Sequence, residues 1–299
     1  MKFIGTSTRF SLLFISICLF SCSDETKPSQ TESISDEIEV QSDDAVTPSM
    51  LKMDGEIFSI PSPVQIAILF KRMNVEYNSA LLNNVESAEN YTSRFQKALN
   101  LGVYGADLAY LSNYQDNQKK LNYFKAITDL SQDLDIQNSI DQELIDRFAA
   151  NRDNADSLHS INAALFKAGD QYLKENQEEE VATLILTGGW IESMHIAVQA
   201  AKANPIFLGR VGEQKHAISS VLGLLSKLDN EQSKALSMKF EDLKDIFAEL
   251  EYEYKFEKPI TDGAEKVTYF NSKSSIEIDE PTFLEIEKKV NEIRQFITK

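Results

Sequence analysis

The sequence predicts an all-α fold, a multi-helix bundle of about eight to ten helices with a small C-terminal β-hairpin. Apolar residues recur at three and four residues through most of the chain, turn-forming pairs separate the recurrences, and only one short segment alternates with period two.

Residues 1–21 read as an export leader. Lys2 and Arg9 accompany an apolar run from Phe10 to Phe20, and Leu19-Phe20-Ser21-Cys22 has the pattern of a bacterial lipobox. Cys22 is then the lipidated first residue of the mature chain. The run, about 11 residues, falls short of the roughly 20 that a membrane span needs, and no later stretch is expected to make up the difference. The expected anchor is therefore lipid, and several acyl chains hold far more firmly than one.

Residues 22–56 are expected to form a disordered acidic tether. Ser, Thr, Gln, Asp and Glu dominate it without apolar periodicity, and self-repulsion among its carboxylates extends it. As a flexible coil its ends would stand roughly 30 Å apart.

The helical domain, 57–299, opens at Ser62-Pro63, a capping residue followed by a first-turn proline. Ile66, Leu69, Phe70, Met73 and Tyr77 begin the first amphipathic run. The same spacing returns in Tyr91, Phe95 and Ala98, in Leu121, Phe124 and Ile127, in Ile140, Leu144 and Phe148, and in Leu158, Ile161, Leu165 and Tyr172. It is clear again in Leu236, Phe240, Leu243, Phe247, Leu250 and Tyr254. Turns are expected at Gly102, at 151–154, at Asn204-Pro205 and at Asp229-Asn230. Either 151–154 or 204–205 would be the boundary if the helices form two sub-bundles. Val267–Phe270 and Ser275–Ile278, flanking Asn271–Ser274, read as the hairpin, and a last helix from about Pro281 to Ile297 closes the chain.

Both cysteines, Cys18 and Cys22, fall in the export segment, so the folded body is expected to stand without a disulfide. Loss of Lys2 and Arg9 with the leader takes the basic residues from 30 to 28 against 47 acidic ones, a net charge of −19. Nucleic acid and anionic lipid heads need clustered Lys and Arg, so such a chain suits neither.

Glu192-x-x-His195 and Glu213-x-x-His216 are the most suggestive chemical motifs. Positions i and i+3 share a helix face, which is how ferritin-like bundles aim a carboxylate and an imidazole at a metal. Antiparallel pairing about Asn204-Pro205 would set Glu192 opposite His216 and His195 opposite Glu213, a candidate site for Fe, Mn or Zn. Cross-helix His–Glu hydrogen bonds explain the same spacing without a metal. The further carboxylates such a centre requires, of which Glu143 and Asp107 are the nearest, belong to no motif.

Val181 to Val198 is almost wholly apolar or small, with Gly188-Gly189 at its middle. Each helical glycine costs about 1 kcal/mol relative to alanine, and close approach of another backbone is the expected compensation. Gly212, Ser219 and Gly223 of the next helix offer a matching small face, with Gly188 near Ser219 and Ser220. Trp190 belongs to this buried set. Tyr104, Asp107, Tyr110 and Tyr114, joined by Trp190, are candidate ligand-binding residues, since phenols beside a carboxylate suit a small polar ligand. The alternative is a helix rim on which the tyrosines snorkel. His159, beside Asp156, reads as a solvated surface residue. No nucleophile elbow, phosphate loop, dinucleotide fingerprint or H-E-x-x-H is present.

Ser23-Asp24-Glu25 resembles the acidic signal that follows the lipidated cysteine in surface lipoproteins of the Bacteroidota. Ile57-Phe58-Ser59-Ile60-Pro61-Ser62-Pro63, the stretch Asn100 to Leu108 and Gly188-Gly189-Trp190-Ile191-Glu192 resemble a family of uncharacterised helical lipoproteins of that phylum. The resemblance implies a helical fold and an outer-membrane location, surface-exposed, and carries no catalytic residue. The expected function is binding or assembly in the cell envelope, with an envelope protein or a small polar ligand as partner and the membrane reached through the lipid. A metal-binding bundle is the alternative.

Overall fold

Ser62 starts the first helix as expected: its Oγ and the Gln65 side chain form a reciprocal capping box around Pro63. A computed structural model describes residues 48–53, 55–262, 267–269 and 273–299, all within one unit, Ser42–Lys299. The leader, Cys22 and most of the tether lie outside the described residues.

The helices are α1 (Pro63–Arg72), α2 (Arg94–Leu111), α3 (Asn117–Asp133), α4 (Gln142–Ala150), α5 (Ala155–Glu175), α6 (Glu179–Ala203), α7 (Ile206–Gly212), α8 (Lys215–Leu225), α9 (Glu231–Ala248) and α10 (Glu280–Thr298). Ser93 caps α2 through a second box with Gln96, and the side chains of Asp141, Asn154, Asn230 and Asp279 cap α4, α5, α9 and α10. The turns at 151–154, 204–205 and 229–230 fall between helices as expected. One buried apolar core takes side chains from every helix, so neither 151–154 nor 204–205 divides the body into sub-bundles.

Gly102 is no turn. It lies in mid-helix, where α2 and α6 make the most extensive contact in the molecule. A Cβ on Gly102 would land on the Ile185 carbonyl and 2.7 Å from the Gly189 nitrogen, and one on Gly188 would land on the Leu99 carbonyl. Close backbone approach is thus the reason for these glycines, but the partner is α2 rather than α8. Gly212 instead receives Ile276, and Gly223 receives Phe58.

α6 is long and apolar enough to match a membrane span, its 25 residues including an 18-residue window of mean hydropathy 1.4, contrary to the expectation that no later stretch would be. Since 83% of that window is buried by the other helices, it is built as the core helix of the bundle.

Among the described residues six short strands complete the fold. β1 (Ser49–Met53) pairs antiparallel with β2 (Glu56–Ile60), so the tether expected through residue 56 gives way to structure by Ser49. Leu51 and Ile60 bury completely, and Gly55 supplies a φ of +83° beside the tight turn.

The C-terminal ribbon is present with different pairing from that expected. β3 (Tyr252–Lys255) pairs with β6 (Lys273–Ile276), and β4 (Ile260–Asp262) with β5 (Val267–Tyr269). Lys255 faces Lys273 and Ile260 faces Tyr269, so the first arm carries one residue more than the second across the break. Tyr252-Glu253-Tyr254 alternates and leaves the helix, although Leu250 and Tyr254 happen to share its spacing.

Candidate functional site

Two places in the core combine polar groups in a way that packing alone does not require. The first joins α2, α6 and α10. Glu192 and Asp107 have no solvent exposure, and Arg294 grips Glu192 with two hydrogen bonds, Nε to Oε2 at 2.6 Å and Nη2 to Oε1 at 2.7 Å. Nη2 also donates to the Leu81 carbonyl at 3.0 Å. One turn along α6, His195 Nδ1 meets Asn291 Oδ1 at 2.9 Å. The E-x-x-H face of α6 is therefore answered by an N-x-x-R face on α10, running antiparallel.

Asp107 accepts from the Asn83 backbone N–H at 3.1 Å through Oδ2. Burial first, then the neighbouring Glu192 carboxylate, pushes its carboxyl well above the usual carboxylate range. Its other oxygen, Oδ1, is buried without a hydrogen-bond partner. Two carboxyl groups and one guanidinium thus share one stretch of the interior. Asn83 extends it to Tyr91 and Asn100, and Asn100 Nδ2 donates to the Ile297 carbonyl at 2.8 Å. With both carboxylates sealed from solvent, this network clasps the last helix.

The two E-x-x-H motifs do not converge. Glu213 pairs with Arg210 on the surface at 2.8 Å, and His216 stacks on Tyr252 with ring centroids 5.7 Å apart. Among the described residues no group of three or more His, Cys, Asp and Glu is placed to hold a metal ion. Asp107 does approach Glu192, while Glu143 sits exposed in the first turn of α4.

The tyrosine face is neither pocket nor rim. Tyr104 and Tyr110 are buried, and their hydroxyls donate to the carbonyls of Asn84 and Glu76, as Tyr114 does to Val75. Trp190, also buried, donates to Gln214 Oε1 at 3.2 Å. These groups are spent on the core and on the loops after α1. His159 is likewise buried, bonded through Nε2 to Asn113 Oδ1 at 2.8 Å, and burial foremost pushes its imidazole down to about 4.

The second place was not legible as a motif. Beside α5 lies an open cleft, whose empty space of about 740 Å³ includes the solvent at its mouth. Leu101, Gly105 and Leu108 of α2, Ile127 and Ser131 of α3, and Ala182, Ile185 and Leu186 of α6 line it. α5 contributes Asn162, Leu165, Phe166, Gly169, Asp170 and Leu173, and Ser49 of β1 stands at the edge. Gly169 has no neighbour within 4 Å of the place a Cβ would occupy. Unlike Gly102 and Gly188, it admits no other backbone.

Asn162, which borders the cleft, carries one unsatisfied polar atom that is sealed from solvent. Asn162 is 2% exposed, and its Nδ2 donates to Ser112 Oγ at 2.9 Å. Ser112 gives its own proton to the Leu108 carbonyl at 2.8 Å, so its oxygen can only accept from Asn162, which fixes the amide orientation. Asn162 Oδ1 is left with no hydrogen-bond partner. At the other end of the cleft Asp170 is occupied by Lys174, which also donates to the Met50 carbonyl at 2.7 Å. A signal for this site did exist in the sequence: Gly169 interrupts a strong helical run without turn chemistry around it, whereas Gly105 makes room for the Phe166 ring.

No protein-family model matches the chain, and neither a curated protein nor a solved structure matches it.

Proposed function

We propose that this chain is a lipid-anchored protein of the cell envelope, held in the outer membrane through Cys22, whose helical body binds an aliphatic ligand in the α5 cleft rather than performing catalysis. The lipobox and acidic tether support the location. The observation that carries the binding role is the open space facing Gly169. Helical interiors pack to the density of organic crystals, and a helix glycine that nothing approaches gives up about 1 kcal/mol without a return from the protein itself. A ligand seated there supplies the missing contact, and the mostly apolar lining of the cleft suits a small molecule.

The location and the binding role are tested separately. Cys22→Ala removes the lipidation sulfur, and the expected result is an unprocessed or soluble protein; recovery in outer-membrane fractions would count against the anchor. For the cleft, dodecan-1-ol is expected to raise the melting temperature of the full-length protein and to leave that of Gly169→Phe unmoved. Equal shifts in both proteins would remove the cleft as the site.

A further inference from the structure

We infer that the C-terminal ribbon is a second contact with the membrane, its exposed aromatic face seated at the headgroup level of a phospholipid bilayer. The inference rests on the envelope location proposed above and goes beyond it by giving the folded body its own contact with lipid. Alternation along β3 puts Tyr252 and Tyr254 on one face, and Phe256 follows at the same spacing. The base of the ribbon is packed: Ile276 fills the space beside Gly212, and the Tyr252 ring stacks on His216. Beyond that base Tyr254 is 63% exposed, Phe256 69% and Ile260 60%. Ile260 and the exposed Val267 share one face across the register of β4 and β5. A two-stranded ribbon is marginal in water unless its apolar face is covered, and the bundle leaves these side chains open.

Charge selects lipid as the cover. Residues 252–276 hold four lysines against four acidic residues, in a chain of net charge −17, so the ribbon is a neutral part of an acidic molecule. A second copy would bring another −17 up to the first, and repulsion opposes that contact. A bilayer of zwitterionic lipid carries no net charge to oppose. Its headgroup region suits the ribbon's composition: tyrosine presents an apolar body with a wet hydroxyl, lysine reaches phosphate, and phenylalanine takes the acyl boundary. Lys255 stands opposite Lys273 in the register, and like charges so placed repel, which a lipid phosphate beside them relieves. A few side chains give a weak, reversible contact. The lipid on Cys22 remains the anchor, and the ribbon fixes which side of the body meets the bilayer.

The test adds one tryptophan, either on the ribbon by Phe256→Trp or at the similarly exposed Met238 of α9 by Met238→Trp. Each protein is purified from its own cells and reconstituted into phosphatidylcholine vesicles, plain or brominated near the headgroup, with the wild type as the measure of Trp190. The tryptophan at 256 is expected to emit at shorter wavelength than that at 238 and to lose most of its emission to bromine, while that at 238 keeps its own. Unquenched, water-like emission at both positions, from protein held on the vesicles, overturns the ribbon contact and leaves the anchor standing. Equal quenching at both positions also overturns it, because the whole body then lies on the lipid. Short-wavelength emission at 256 that bromine leaves untouched puts protein, a second copy included, on the ribbon in place of lipid and overturns the inference. Protein that does not stay with the vesicles overturns the anchor and the ribbon contact together.

Discussion

Arg294 of α10 and Glu192 of α6 meet in a two-pronged ion pair, 2.6 and 2.7 Å long, with the carboxylate wholly buried. It joins residues about a hundred positions apart and fastens the last helix to the central one. Removing one partner of such a pair strands the other charge in the interior. Glu192→Gln is expected to cost about 3–5 kcal/mol in chemical denaturation of the full chain. A loss below about 1 kcal/mol would mean that α10 is held by its apolar face alone.

Asp107 sets a dependence on pH. Its carboxyl is raised in the folded state by burial and by Glu192, so between the ordinary carboxylate value and the raised one the folded chain holds a proton that the unfolded chain has released. This contribution favours folding at acid pH and is lost as pH rises through the raised value. Asp107→Asn supplies an amide in place of the protonated acid. It should match the wild type at acid pH and exceed it in stability at alkaline pH; a variant whose stability tracks the wild type across the whole range would show that Asp107 is ionised.

His159 acts in the opposite direction. Burial depresses it from 6.5 to about 4, so the unfolded chain gains a proton first as pH falls, and stability drops across that window. The neighbouring Lys71 and Lys120 push the same way, while Asp156 opposes them. Relative to His159→Gln, the wild type should lose about 3 kcal/mol between those two pH values. Parallel stability curves for the two proteins would contradict the buried, neutral imidazole.

Two helical glycines should respond oppositely to one methyl group. Gly102→Ala drives its Cβ into the Ile185 carbonyl and should cost about 3 kcal/mol or more, because backbone cannot step aside cheaply. Gly169→Ala meets open space and should gain roughly 0.5–1 kcal/mol. Thermal unfolding of the pair measures both. A destabilised Gly169→Ala would mean that the cleft is closed in solution.

These contrasts mark what the sequence could tell. A bundle of eight to ten helices, the Ser62 cap and three of four expected turns were legible because spacing and capping are local. Gly102 misled because its reason is a helix some 80 residues further along, and β1 was overlooked although Asp54-Gly55 is a hairpin signal between Leu51 and Ile60. Asp107 and Glu192 were each singled out, and Asp107 was named beside Glu192 only as a further carboxylate without a motif. A carboxylate inside an apolar helix demands a counter-ion, yet nothing local says that Arg294 is the one. The cleft was invisible for a related reason: it is space left between helices, and only Gly169 leaves a trace of it in the chain.

What the cleft holds is read most directly from the full-length protein purified from its own cells and weighed intact under native conditions. The account requires a noncovalent aliphatic adduct on the wild type that is missing from Gly169→Phe. An adduct that survives Gly169→Phe, or a wild type that carries none, would contradict it.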